Sequence, residues 1–287
     1  MMIQAIIVAV IVGQSTRPEG QVKAKELGRS ARLLALHEGD AAEFAIYRDA
    51  DRKEKLELRR EPVYRWTNPT RSGGQEGDVF LWTYGGRPEA VGCIFSHPEA
   101  VGQRVICHEL HSLSQTVLLA DRKATNRWEP QVAGITLQAV PDAPTPGATG
   151  PTRLRQMTAI ARNFSGNSLD HGGKRWEFRL LPKPLYRYES TDIEVIDGAL
   201  FAFVTSAGTD PELLLMLEAR IQNDGSTRWE FTNARFSDLD LWLKYKDKEV
   251  WAGKPARIQE GGEPSQRYRL YVDRKIAEIL PQSSGKP

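Results

Sequence analysis

The amino-acid sequence predicts an α+β fold of two tandem related units, each an N-terminal helix packed on a curled antiparallel β-sheet. Three observations predict it. Segments in the two halves resemble each other in the same order at a spacing of about 122 residues, each half opens on a helix-like apolar stripe, and a proline-rich stretch lies between them.

Residues 1–20 read as a signal-peptide-like segment. The apolar run Ala5 to Val12 is too short to cross a hydrocarbon core of about 30 Å at about 1.5 Å per helical residue. A polar stretch, Thr16-Arg17-Pro18-Glu19-Gly20, follows it. No Lys or Arg precedes the run, and a buried N-terminal strand is the competing reading. The expected location is therefore outside the cytoplasm, periplasmic or extracellular, with no stable membrane insertion after processing.

The first unit, 21–139, begins with a helix over Val22 to His37 whose stripe is Leu27, Ala31, Leu34 and Ala35. Strands follow. Asp78 to Thr83 and Glu89 to Phe95 flank Tyr84-Gly85-Gly86-Arg87, where two glycines suit a tight hairpin. Arg104 to Leu110 returns after Pro98 to Gly102. Residues 140–151 carry four prolines in twelve positions and read as a linker. The second unit, 152–287, starts with a helix capped by Thr152, with Leu154, Met157, Ile160, Ala161 and Phe164 on one face and a stop near Gly166. Asn223-Asp224-Gly225-Ser226 is a hairpin signal, and Ser237 to Tyr245 alternates as a strand with one wet face.

The internal resemblance is specific in its order. Pro62-Val63-Tyr64-Arg65-Trp66 answers Pro184-Leu185-Tyr186-Arg187-Tyr188, and Gly77 to Trp82 answers Gly198 to Phe203. Pro88-Glu89 answers Pro211-Glu212, after which an offset of 123 carries Gly102 onto Gly225 and Ser114 onto Ser237. Chance explains any one of these matches and explains the series poorly. The repeated Tyr-Arg pairs are expected to be structural, since duplicated positions serve the fold first.

Composition narrows the function. The 287 residues include 39 Lys plus Arg against 37 Asp plus Glu, a net charge of +2 that lacks the positive surface nonspecific nucleic-acid binding needs. No motif implies a cofactor. His108-Glu109-Leu110-His111 lacks the spacing of a helical zinc pair, and on a strand His108 and His111 point to opposite faces, so no metal site is expected. Glu109 and His111 share a face and could act as an acid–base pair in a cleft. Asp238 and Asp240 read as solvated charges.

Cys93 and Cys107 form a disulfide candidate, because a turn centred near Ala100 would place them directly opposite each other. Among seven tryptophans, Trp82 shares the region of Glu109, and Trp242 stands on the polar face of its strand. Both are candidates for ligand contact, with burial as the plainer alternative for Trp242.

Pro62-Val63-Tyr64-Arg65-Trp66-Thr67-Asn68-Pro69, Val79 to Arg87, His108 to Ser114, Leu181 to Tyr188 and Ala199 to Val204 together resemble an uncharacterised family of exported bacterial proteins with no established activity. The resemblance implies export and transfers no catalytic residue. The first functional expectation is an exported noncatalytic binding or structural protein whose partner is an unknown protein or extracellular ligand. The alternative is a hydrolase or transferase using Glu109 and His111.

Overall fold

The computed structural model describes residues 19–69, 74–122, 128–190, 195–254 and 266–277; the expected apolar leader Ala5 to Val12 lies outside them. The first half of the chain runs α1 (Glu19–Ala42), β1 (Phe44–Tyr47), β2 (Glu57–Leu58), β3 (Tyr64–Asn68), β4 (Gln75–Tyr84), β5 (Arg87–Ala100), β6 (Gln103–Ser112), β7 (Leu119–Arg122) and β8 (Gln138–Ala139). The rest runs α2 (Gly150–Ala161), β9 (Phe164–Leu169), β10 (Arg175–Leu180), β11 (Tyr186–Tyr188), β12 (Val195–Thr205), β13 (Pro211–Ile221) and β14 (Thr227–Arg235). It closes with β15 (Asp240–Tyr245), β16 (Lys248–Gly253) and β17 (Tyr268–Ala277).

The fold class departs from the expected pair of α+β units. Strands make up 53% of the structure and helices 12%, so the fold is β-rich, with curled antiparallel sheets and, among the described residues, only two helices. One sheet is ordered β17-β6-β5-β4-β2 with β3 beside β4. The other is ordered β16-β15-β9-β10-β12-β13-β14-β8 with β11 beside β12, and β1 pairs with β7. The halves also exchange strands. β17, from the end of the chain, lies beside β6, and β8, from before the proline-rich stretch, lies beside β14.

Three cores explain the stacking. Leu33 and Ala41 of α1 pack on Phe80, Trp82 and Ile94, while Met157 and Ile160 of α2 pack on Phe201, Phe203 and Leu215. Between the sheets, Val79, Leu81, Val91 and Cys93 meet Leu200, Ala202, Leu214 and Met216. The layers are therefore helix, sheet, sheet, helix. The expectation gave each sheet a single buried face. Yet Val79 to Trp82, Ala199 to Val204 and Leu213 to Leu217 are apolar at successive positions, so both faces need cover, and a helix can cover only one.

Both helices bury a polar face that apolar periodicity does not reveal. In α1 the inward positions are Leu33, His37, Asp40 and Ala41, and Ala31 and Ala35 are exposed. In α2, Arg153 joins Met157, Ile160 and Ala161 on the buried face, and the cap is Thr149, whose side chain accepts from the Thr152 backbone N–H. Gly166 lies inside β9, where a Cβ would come 2.3 Å from the Trp242 carbonyl oxygen. On this side His37 Nδ1 lies 2.7 Å from Asp78, which also accepts from Arg65 Nε at 2.7 Å. On the other sheet Asp197 accepts from Arg153 at 2.9 Å and from Arg187 at 2.7 Å.

The two central meanders share a register. Val79 opposes Cys93 and Cys93 opposes Glu109; Leu200 opposes Met216 and Met216 opposes Thr232. They also meet reciprocally. The Tyr64 hydroxyl donates to the Thr209 carbonyl at 3.0 Å, and the Tyr186 hydroxyl donates to the Gly86 carbonyl at 3.2 Å.

Candidate functional site

Where the edge of the inner core reaches solvent, the sheets part around a recess of about 140 Å³. β3 supplies Trp66, and β5 supplies Cys93 and Phe95. β6 contributes Glu109, the residue just before β13 is Asp210 and its second residue Glu212, and the segment after β14 contributes Phe236 and Asp238. Alternation along β6 sends Cys107, Glu109 and His111 toward this side and His108 and Leu110 toward α1.

Glu109 is a deeply buried acid of the recess. Only 7% of it is exposed, and Tyr268 on the adjacent β17 donates its hydroxyl to Oε1 at 2.6 Å. Burial pushes the carboxyl up to about 8. The Tyr268 hydrogen bond opposes that rise, and the negative fields of Asp238, Glu212 and Asp210 add to it. Glu109 is therefore largely protonated at neutral pH.

His111 is buried next to Tyr268, with ring centroids 6.1 Å apart, and its Nδ1 lies 2.7 Å from the Ser112 carbonyl oxygen. That geometry makes Nδ1–H the donor. Burial pushes the imidazole down to about 3, helped by Arg267 and Arg235 and opposed by the Ser112 bond. His111 is outside the recess lining, and no hydrogen bond joins it to Glu109 among the described residues. Tyr268 stands between them.

The remaining sequence candidates scatter. Cys93 and Cys107 are buried free thiols. The β5–β6 register pairs residues whose numbers sum to 202, so Cys93 opposes Glu109 and Cys107 opposes Phe95. The turn falls at Val101 and Gly102 rather than near Ala100, and the irregularity between Pro98 and Ala100 moves the pairing back by only one position, which leaves the two cysteines on a diagonal. Burial holds the Cys93 thiol well above its ordinary range and Cys107 at about 12, and the Trp66 indole N–H points at Cys93 Sγ, 3.3 Å away. Trp82 is 1% exposed in the core under α1, edge-on to Phe44, and offers no surface. Trp242 is half-buried beneath the Arg175 guanidinium, 4.9 Å from its ring centroid. Neither tryptophan reaches the recess.

A second polar cluster, behind the sheet, went unseen in the sequence because its members are far apart in the chain. Asp40, His108 and Asp273 bring potential metal-ligating atoms within 4.8 Å of one another. Two arginines already neutralise the carboxylates: Arg274 grips both oxygens of Asp40 at 2.9 and 2.8 Å, and Arg122 grips Asp273. His108 closes the cluster between Asp40 at 3.1 Å and the Tyr271 hydroxyl at 3.2 Å. Two carboxylates against two guanidinium groups balance without an ion, so this is a clasp that ties α1 to β6, β7 and β17. His108 and His111 do lie on opposite faces of β6.

Comparison of the chain with protein-family models, curated proteins and solved structures finds no match in any of the three. Among the described residues no helix is long and apolar enough to cross a membrane.

Proposed function

We propose that the chain is an exported, noncatalytic binding or structural protein, and that the recess around Glu109 is its binding site. One observation carries the noncatalytic reading. Each group an acid–base mechanism would need is committed to an internal bond, Glu109 to Tyr268 and His111 to the Ser112 carbonyl. A general base must reach its substrate, and a neutral imidazole outside the lining does not. The alternative of a hydrolase or transferase through Glu109 and His111 loses support from the same geometry. Export rests on the apolar start of the chain and the family resemblance. The matched registers and reciprocal tyrosine bonds favour an origin of the two β-meanders by duplication.

The test is a thermal-shift screen of small cations, anions and neutral compounds against the parent protein and Gln75→Trp, which fills the half-buried rim of the recess. At least one class should raise the melting temperature of the parent and leave the variant unmoved. If no class stabilises the parent, the recess is not a binding site.

A further inference from the structure

Glu218 and Glu109 are both buried between the sheets under a tyrosine hydroxyl, and they differ in what else they meet. Glu218 Oε1 accepts from the Tyr188 hydroxyl at 2.7 Å and from Arg87 Nε at 2.7 Å, and its Oε2 accepts from Arg220 at 3.0 Å. Arg87 is 1% exposed and fills the space beside it, with Nη1 donating to Glu89 at 2.8 Å and to the Leu113 carbonyl at 3.3 Å. That carboxylate is charged, paired and closed off.

Glu109 has the tyrosine and no cation. It is more than nine-tenths buried, Tyr268 donates to its Oε1 at 2.6 Å, and no Lys or Arg among the described residues bonds either oxygen. Arg235, 5.1 Å from the Tyr268 ring, directs its donors to the Ser237, Lys254 and Leu239 carbonyls instead. The other groups facing Glu109 are the Cys93 thiol, directly opposite on β5, and the acids Asp210, Glu212 and Asp238. An ionised Glu109 would be a buried charge without a partner, so the neutral acid is the favoured form. A neutral carboxylic acid has one O–H to donate. With Oε1 accepting from Tyr268, that donor stands on Oε2, to which no described residue is bonded, in a side chain that lines the recess.

The rest of the recess fits a small ring. Trp66, Phe95, Phe236, Leu239 and Leu270 form its apolar walls, and its volume of about 140 Å³ is close to the engineered cavity of about 150 Å³ that holds benzene. Among the described residues no Lys, Arg or His lines it, and the acids around it disfavour an anion. A carbonyl oxygen on the ring would accept from the Glu109 O–H, which a cation cannot do.

We propose that the recess binds a small uncharged cyclic carbonyl compound, a lactam or cyclic ketone, whose oxygen accepts the Glu109 O–H. This inference rests on the recess being a binding site. The experiment is ligand-observed NMR titration of the full-length protein with δ-valerolactam and with cyclohexanone, and in parallel with piperidinium chloride, a charged ring of the same size. Saturable binding of either neutral ring, lost in Gln75→Trp, supports the inference. Affinity should fall about tenfold between pH 6.5 and pH 9, because an acid that titrates at about 8 keeps its proton in only about a tenth of the molecules at the upper pH. In Glu109→Gln the amide N–H takes over as donor, and affinity should not vary over that range. Glu109→Leu removes the donor and should weaken binding about tenfold. Should Glu109→Leu fail to fold by circular dichroism, the pH profiles of the parent and Glu109→Gln decide the matter. No saturable binding of either neutral ring, or the same pH profile in the parent and Glu109→Gln, overturns the inference. If piperidinium alone binds, blocked by Gln75→Trp, the neutral-ring assignment falls and the binding site stands.

Discussion

Glu109→Gln should stabilise the protein increasingly as pH rises. The carboxyl titrates near 8 in the folded protein against an ordinary value of 4.5, so between those values the folded chain holds a proton that the unfolded chain has released. Stability attributable to this group is present below about 4.5 and is lost as pH climbs toward 8. At about 1.4 kcal/mol per pH unit of displacement, the loss is at most about 5 kcal/mol, and water in the recess reduces it. Glutamine has the shape of the neutral acid, and its amide oxygen can still accept from Tyr268. The variant and the parent should therefore have similar stabilities near pH 5. The variant should gain steadily through pH 6 and 7, and the difference should level off above about pH 8. Urea unfolding of both proteins at pH 5, 6.5, 8 and 9 measures the difference directly, and comparing the two cancels other titrating groups. A difference that does not change with pH would refute the argument from burial.

Three further outcomes follow from the same geometry. Asp40→Ala leaves Arg274 and His108 without their shared carboxylate in a buried clasp and should cost about 3–5 kcal/mol, read by urea unfolding. Asp273 is held down to about 2 despite its burial, by Arg122, His108 and Arg274. Its contribution is present above the ordinary value of 3.8 and lost as pH falls toward 2, so Asp273→Asn should flatten the acid limb of the melting curve between those values. Gly77→Ala should destabilise by about 1–3 kcal/mol, because the added Cβ would come 2.6 Å from the Trp66 ring, and calorimetric melting would show it.

Local chemistry was readable wherever the determinant is a short run of residues. Gly85 and Gly86, both at positive φ, form the two-residue turn between Tyr84 and Arg87, and Gly225 turns the later hairpin. β15 alternates as its residues require, with Leu241, Leu243 and Tyr245 buried. The recess was half legible. Glu109 could be singled out, but its true neighbours Asp210, Glu212 and Tyr268 come from strands brought together only by folding. Continuous apolar runs in β4, β12 and β13 were the available sign that both sheet faces are covered. The inward His37, Asp40 and Arg153 had no such sign, because a polar residue on a helix reads as exposed until its partner is known.

The sequence by itself determined the antiparallel strands, their tight turns, the two helices, the opposed directions of His108 and His111, and the ordered likeness of the two halves, since each depends on side-chain type and spacing along one stretch of chain. Only the tertiary structure decided that the sheets stack on a shared inner core, that β17 crosses to the first sheet, and that Cys93 faces Glu109 instead of Cys107. It also decided that Arg87 fills one inter-sheet site while acids line the other. The physical reason is that these arrangements are set by burying two-sided apolar sheets and pairing charges across more than a hundred residues, and no local pattern encodes which distant partner does so.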